Sequence, residues 1–353
     1  MANSAHIMKS NQQNPVLVEV TRGDGVESRH RGAIAIVDGA GKIVEKWGDI
    51  EAPVLPRSAI KSMQALALIE TGTADHFDVS DQELALACSS HSSGPEHMAV
   101  VEGWLKRLGL SDMDLECGST GSNEKVVHEE LIRSNTKLTR AHNNCSGKHT
   151  GFLATTLHMG EPTKGYISAD HPVQRRILGT LEEMADMDLT NAPRGCDGCG
   201  IPVIALPLDA MARGFAKMAT PDTLPTVRAA AVRRITAAIG AQPLMVAGHR
   251  RFDTIVIEAT QNGPNGPALV KTGAEGVYGA FLPGLGLGVA LKIDDGATRA
   301  SEVAMAAVLG HLGIFDEAIS AVLKSQIEPV VTNAMGEACG VVQAAKFLDG
   351  NAG

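Results

Sequence analysis

Ser58 and Lys61 stand one helical turn apart in PRSAIKSMQALALIE, residues 56–70. A serine in the first turn of a helix meets the positive end of the helix dipole, which favours a developing alkoxide. A lysine three positions on shares its face and takes the serine's proton once burial or a second cation lowers its pKa. That pair equips a nucleophilic hydrolase; the competing reading is a serine that only caps a helix. Far downstream, Lys271-Thr272-Gly273 lies in ALVKTGAEGVYGAF, 268–281, a stretch of strand character whose lysine would bring positive charge to a pocket edge. Between the two, CSSHSSGPEH at 88–97 offers Ser89 and Ser90 as a second serine, on a loop after a helical segment.

S-x-x-K followed much later by K-T-G is the ordered motif set of serine β-lactamases and penicillin-binding proteins. The S-D-N loop of that class is absent here. Two further segments concentrate cysteine and glycine: NNCSGKH at 143–149 and RGCDGCGIP at 194–202. Cys196 and Cys199 form a C-x-x-C pair. With Cys145 they could supply thiolates to zinc, with Lys148, His149 or His142 nearby. Buried free thiols are the other reading.

These motifs need elements to hold them. Strand signals open the chain: VLVEVTR, then GAIAIVDGAGKIVEKWGD at 32–49, which reads as a hairpin turning at Asp38-Gly39. A helix is expected from Arg57 to about Glu70. A long, mostly helical middle follows, including DQELALACSS, EHMAVVEGWLKRLGL, HTGFLATTLHMG, PVQRRILGTLEEMADM and TVRAAAVRRITAAIGA. Strand signals return in DTIVIEAT (253–260), 268–281 and GLGVALKIDD, before a helix over RASEVAMAAVLGHLGIF. The class expected is α/β: a largely antiparallel sheet built from N- and C-terminal strands, flanked by helices, with a central helical lobe. Residues 1–14 read as a disordered lead-in and 15–353 as one domain. Its sheet part covers about 15–56 and 250–353, and its helical part about 57–249.

With 44% hydrophobic residues in 353 the chain can bury a large core, and with 3% aromatics that core must be aliphatic. A formal charge of −9 without like-charge blocks offers nothing that invites nucleic acid or an acidic membrane surface, and neither is expected as a partner. The first twenty residues lack a basic region leading into an apolar one, and no apolar run reaches the roughly 20 residues of a membrane helix. A cytoplasmic protein is expected, its six cysteines serving as free thiols or metal ligands.

Together, PRSxxKxxQ, SSHSxxPEH, NNCSGKHxG, HPVQ, DGCGxP, the AGxxRxDT block at 247–254 and KTGAEGVY resemble the rhizobial-type (type II-like) L-asparaginase family over about residues 17–345. The resemblance implies a serine β-lactamase-like fold, a homodimer, and hydrolysis of L-asparagine to L-aspartate and ammonia. It implies Ser58 as nucleophile with Lys61 as base, and a second pair, Ser90 with Lys271. It implies zinc held by Cys145, Lys148 and Cys199, with Asp197 reaching the fourth, water-filled position. Arg57, His91, Asp197, Thr272 and Gly273 are the candidates to contact substrate. Backbone N–H groups of Ser58 and of the strand near Gly273 are the expected oxyanion donors. Two rival functions stay open: a zinc-dependent amino-acid-binding protein without turnover, and a β-lactamase-like hydrolase of another substrate.

Overall fold

The structure, a computed structural model, describes residues 13–348. The expected lead-in falls, up to residue 12, outside them. The chain divides into two compact units: one is built from residues up to Ala59, Ala205–Thr220 and the chain from Val256, the other from Ile60–Ile204 and Pro221–Ile255.

The first unit is an eight-stranded antiparallel sheet. Its strands are β1 (Val16–Arg22), β2 (Gly25–Asp38), β3 (Ile43–Trp47), β4 (Leu269–Thr272), β5 (Val277–Leu282), β6 (Leu287–Ile293), β7 (Val330–Thr332) and β8 (Ala338–Ala344). They lie in the order β7-β8-β1-β2-β6-β5-β4, with β3 paired on β2. The first and last strands meet directly, Val18 opposite Ala344 and Val20 opposite Val342. β2 pairs with β1 through its first half and with β6 and β3 through its second. Gly32 stands at that handover, where a Cβ would lie 2.3 Å from the Lys292 carbonyl oxygen, so only glycine lets the strands pass.

Strand residues 33–37 are all buried, so both faces of the sheet are covered. The helix Leu208–Ala219 lies on β2, β5 and β6, with Phe215 stacked on Phe281 at 6.4 Å. The helix Thr298–His311 packs on β8, β1, β6 and β5. The α/β class with an antiparallel sheet joining both ends of the chain is the architecture observed.

The second unit is helical apart from one short hairpin, Arg194–Cys196 with Pro202–Ile204. The helix Ser146–His158 runs through its middle, buried from Ser146 to Thr156. Around Gly151 stand Ala87, Leu68 and Trp104, from three neighbouring helical segments. The helix Asp81–Ala87 starts with a capping box between Ser80 and Glu83, which satisfies two orphan backbone donors. Glu83 also takes both ends of the Arg107 guanidinium at 2.7 Å, tying this helix to Pro95–Arg107. No helix among the described residues is long and apolar enough to cross a membrane.

Two local expectations are corrected. DTIVIEAT is a helix, Phe252–Thr260, not a strand. Its buried positions include Asp253, Val256, Ile257 and Thr260 at helical spacing, beside Phe252 and Thr254, and the polar residues among them conceal that face in the sequence. The helix expected over 57–70 is broken into a 3-10 turn Arg57–Ile60 and two short helices, Lys61–Gln64 and Leu66–Glu70. The strand signals over 268–281 correspond to two strands, β4 and β5, joined by a turn in which Glu275 (φ 60) and Gly276 (φ 68) are left-handed.

Candidate active site

In the helical unit, the segment after Asp81–Ala87 is a run of buried polar residues, Ser89 to Ser93. Burying so many polar groups demands partners for each. Ser90 N–H donates to the Val246 carbonyl at 3.0 Å and His91 N–H to that of Asn144 at 3.1 Å. The hydroxyls of Ser92 and Ser93 donate to the carbonyls of Ala247 and His142 at 2.8 and 2.7 Å. Both His91 ring nitrogens are engaged: Nδ1 accepts the Ser93 N–H at 3.1 Å, which leaves Nε2–H to donate to Ser146 Oγ at 2.8 Å. His91 therefore holds the loop against the start of the 146–158 helix. Ser93 adopts φ 57, a strained value for serine, and the surrounding bonds enforce it.

Lys61 reaches this loop. It is fully buried, and its Nζ donates to the Ser89 carbonyl. The same Nζ lies 3.2 Å from Ser90 Oγ and 3.1 Å from Cys145 Sγ. Of the two adjacent serines, Ser90 is thus the one whose hydroxyl meets the lysine. Ser89 contributes its backbone, and its hydroxyl has no partner among the described residues.

Cys145 opens a second cluster. It precedes the 146–158 helix, so Lys148, one turn in, lies on its side. Lys148 Nζ donates to Cys199 Sγ at 3.2 Å. Cys145 and Cys199 are hydrogen-bonded to each other. That bond and burial hold the Cys145 thiol up, while the same bond, helped by Lys148, favours thiolate on Cys199. Burial pulls the Lys148 pKa down, but the two sulfurs and Asp197 raise it on balance. The turn at Asp197, closed by Gly200 N–H to the Asp197 carbonyl at 2.9 Å, turns Cys199 inward and leaves Cys196 exposed. Asp197 Oδ1 accepts the Gly198 N–H at 2.6 Å and sits half-buried beside the cluster. Cys117 is a buried neighbour whose thiol burial pushes up to about 12. His142 is turned to Thr139, at 3.1 Å from Nδ1. Among the described residues no three His, Cys, Asp or Glu side chains converge as a metal site.

The remaining candidates belong to the sheet unit. Ser58 follows Arg57, which adopts φ 51. Lys271 is buried in β4 and its Nζ donates to the Thr272 carbonyl at 2.9 Å. At Gly273 a Cβ would fall 2.9 Å from the Pro56 oxygen and 3.3 Å from the Ala59 nitrogen. Glycine there lets the K-T-G edge lie directly against the turn that carries Ser58. The Gly273 N–H donates to the Val277 carbonyl at 2.7 Å, so it is no oxyanion donor; the turn's hydrogen bond claims it. Of the six non-glycine residues with left-handed backbone among the described residues, Arg57, Ser93 and Glu275 each flank one of the three serine and lysine motifs.

Sequence reasoning missed Tyr166 and Glu116. The Glu116 N–H donates to Tyr166 Oη at 2.8 Å, and Tyr166 Oη lies 2.7 Å from His149 Nδ1. Neither residue stands in a recognisable motif, and only the fold brings them to His149.

The L-asparaginase II family model matches residues 18–344, and the chain belongs to that family. That family is one of L-asparaginases, which are amidohydrolases. No curated protein sequence gives a significant match. Similar solved structures include one described as Mglu in its native form, at TM-score 0.44 and 13% identity over 81% of this chain and 66% of that one. The chain thus spans just under two thirds of that protein. A D-alanine carboxypeptidase AmpC from Burkholderia cenocepacia superimposes at TM-score 0.40 and 13% identity, over 79% of this chain and 93% of that chain. A putative β-lactamase from Bacteroides dorei does so at 0.39 and 13%, over 84% and 93%. These overlaps are loose.

Proposed function

We propose that the chain hydrolyses L-asparagine to L-aspartate and ammonia by acyl transfer through Ser58. The observation that carries this reading is Lys61: fully buried, one turn after Ser58, and hydrogen-bonded to Ser90 Oγ at 3.2 Å. As Ser58 Oγ attacks the side-chain amide carbon, Lys61 in its neutral form takes the hydroxyl proton. Ser90 hands a proton to the departing ammonia, and Lys61 resupplies Ser90 along their hydrogen bond. Water then cleaves the β-aspartyl ester by the reverse proton path. Lys271, Thr272 and Gly273 form the strand edge beside the Ser58 turn. Lys271, with Arg57, supplies positive charge for the substrate's carboxylate.

Zinc, which the family resemblance implies, would be held by Cys145, Lys148 and Cys199. A thiolate, a second sulfur and an amine, buried together, suit a borderline-soft cation. When bound, the ion supplies positive charge that orients substrate. To hold it, Cys145 and Lys148 would have to give up their protons. The homodimer rests on the resemblance, and the cytoplasmic setting on six cysteines that are all free thiols.

The test is ammonia release from L-asparagine by the wild type and Ser58→Ala, with L-glutamine in parallel. Release that vanishes in the variant supports the acyl-enzyme. Asparagine binding without release by the wild type would make the chain a binding protein, and turnover of a chromogenic β-lactam in its place would make it a different hydrolase.

A further inference from the structure

His149 follows Lys148 and sits one turn on from Cys145, on the face of the 146–158 helix that carries the thiol cluster. It is fully buried, with its ring 5.5 Å from that of Tyr166 and 6.0 Å from that of Phe152. Its electrostatic surroundings are Lys148, Cys145, Lys61 and Asp197, the groups of the candidate site. Tyr166 Oη already accepts the Glu116 N–H, and its own proton has His149 Nδ1 as its acceptor among the described residues. Nδ1 is then the bare nitrogen and the imidazole proton stands on Nε2. That Nε2 has no hydrogen-bond partner among the described residues. A buried donor left unpaired loses its hydration without recompense, and such a group calls for a ligand that completes it.

We propose that His149 is a substrate-binding residue whose Nε2–H donates to a carboxylate oxygen of the bound amino acid, and that Tyr166 positions it by fixing the donor tautomer. A neutral N–H donor has nothing to offer an ammonium group. A carboxylate is the strong acceptor that asparagine brings and aspartate keeps. The identity of the ligand rests on the asparaginase reading above.

Ammonia release by the wild type bears on that reading alone. The inference is read from the imidazole nitrogen resonances of His149 in the 15N-labelled full chain, assigned by their loss in His149→Gln. The proton is expected on Nε2, and added L-aspartate is expected to move the Nε2–H resonance downfield. A proton on Nδ1, or a resonance that L-aspartate leaves in place, overturns the proposal. In Tyr166→Phe, KM for asparagine should rise about tenfold, the size of one lost hydrogen bond to a charged group, with kcat changing much less. His149→Gln, which keeps an N–H near the Nε2 position, should hold KM within about threefold of the wild type, whereas His149→Leu should not. An unchanged KM in Tyr166→Phe, or loss of bound zinc in step with activity, overturns the proposal, the second result assigning His149 to the metal.

Discussion

The Lys61 amine stands between Ser90 Oγ at 3.2 Å and Cys145 Sγ at 3.1 Å, so one buried lysine joins the second serine to the thiol cluster. The family resemblance implies Lys271 as the lysine paired with Ser90. Within the helical unit Lys61 meets the Ser90 hydroxyl, and it does so on the same nitrogen that meets Cys145.

Ser58→Ala and Lys61→Met should each lower kcat for asparagine by at least about a thousandfold, and the double variant should be scarcely worse, because nucleophile and base act as a unit. Ser90→Ala should cost about a hundredfold, the usual worth of a general acid. Ammonia release rates decide it. Losses that multiply in the double variant would separate Lys61 from Ser58.

Cys199→Ser and Cys196→Ser should behave differently although both come from the C-x-x-C pair. Cys199 is buried against Lys148 and Cys145, while Cys196 is exposed. Purified Cys199→Ser should retain less than about a tenth of the wild-type zinc, since thiolate ligands supply most of such a site's affinity. Cys196→Ser should keep its full complement. Metal analysis by mass spectrometry reads both, and equal losses would place the exposed cysteine among the ligands.

Gly273→Ala should lower stability by about 1–3 kcal/mol, as overpacking does, and depress activity further. Its Cβ would meet the Pro56 oxygen at 2.9 Å, a backbone atom that moves only with the Ser58 turn. Urea unfolding alongside ammonia release tests this. A variant of wild-type stability and rate would show that the turn and strand edge are free to part.

Acid should weaken the fold through its buried imidazoles. Burial, the largest cause for both, holds His91 well below and His97 below the ordinary value of 6.5, so both are neutral in the native protein. The unfolded chain takes up those protons as pH falls through about 6.5, while the folded chain does not, so unfolding gains. Between pH 7.5 and 5.5 each should remove about 1 kcal/mol of stability. His97→Leu should flatten the slope by roughly one group's share. Urea midpoints at the two pH values give the answer, and equal midpoints would mean that the rings are protonated in the fold.

The amino-acid sequence by itself determined what depends on neighbours along the chain. One-turn spacing placed Ser58 and Lys61 together, alternation gave β1 to β3, helical periodicity gave the middle helices, and the family motifs identified the enzyme class. It misled where tertiary burial overrides local preference, as in the β-branched run at 255–257 that became a helix. Only the tertiary structure decided which side chains meet across long separations. Lys61 reaches Ser90 and Cys145 across 29 and 84 residues, and Lys148 reaches Cys199 across 51. It also chose Ser90 over Ser89 and Cys199 over Cys196, because adjacent or nearly adjacent residues look alike in sequence. In the fold, backbone hydrogen bonds and burial turn one of them inward and commit the other elsewhere.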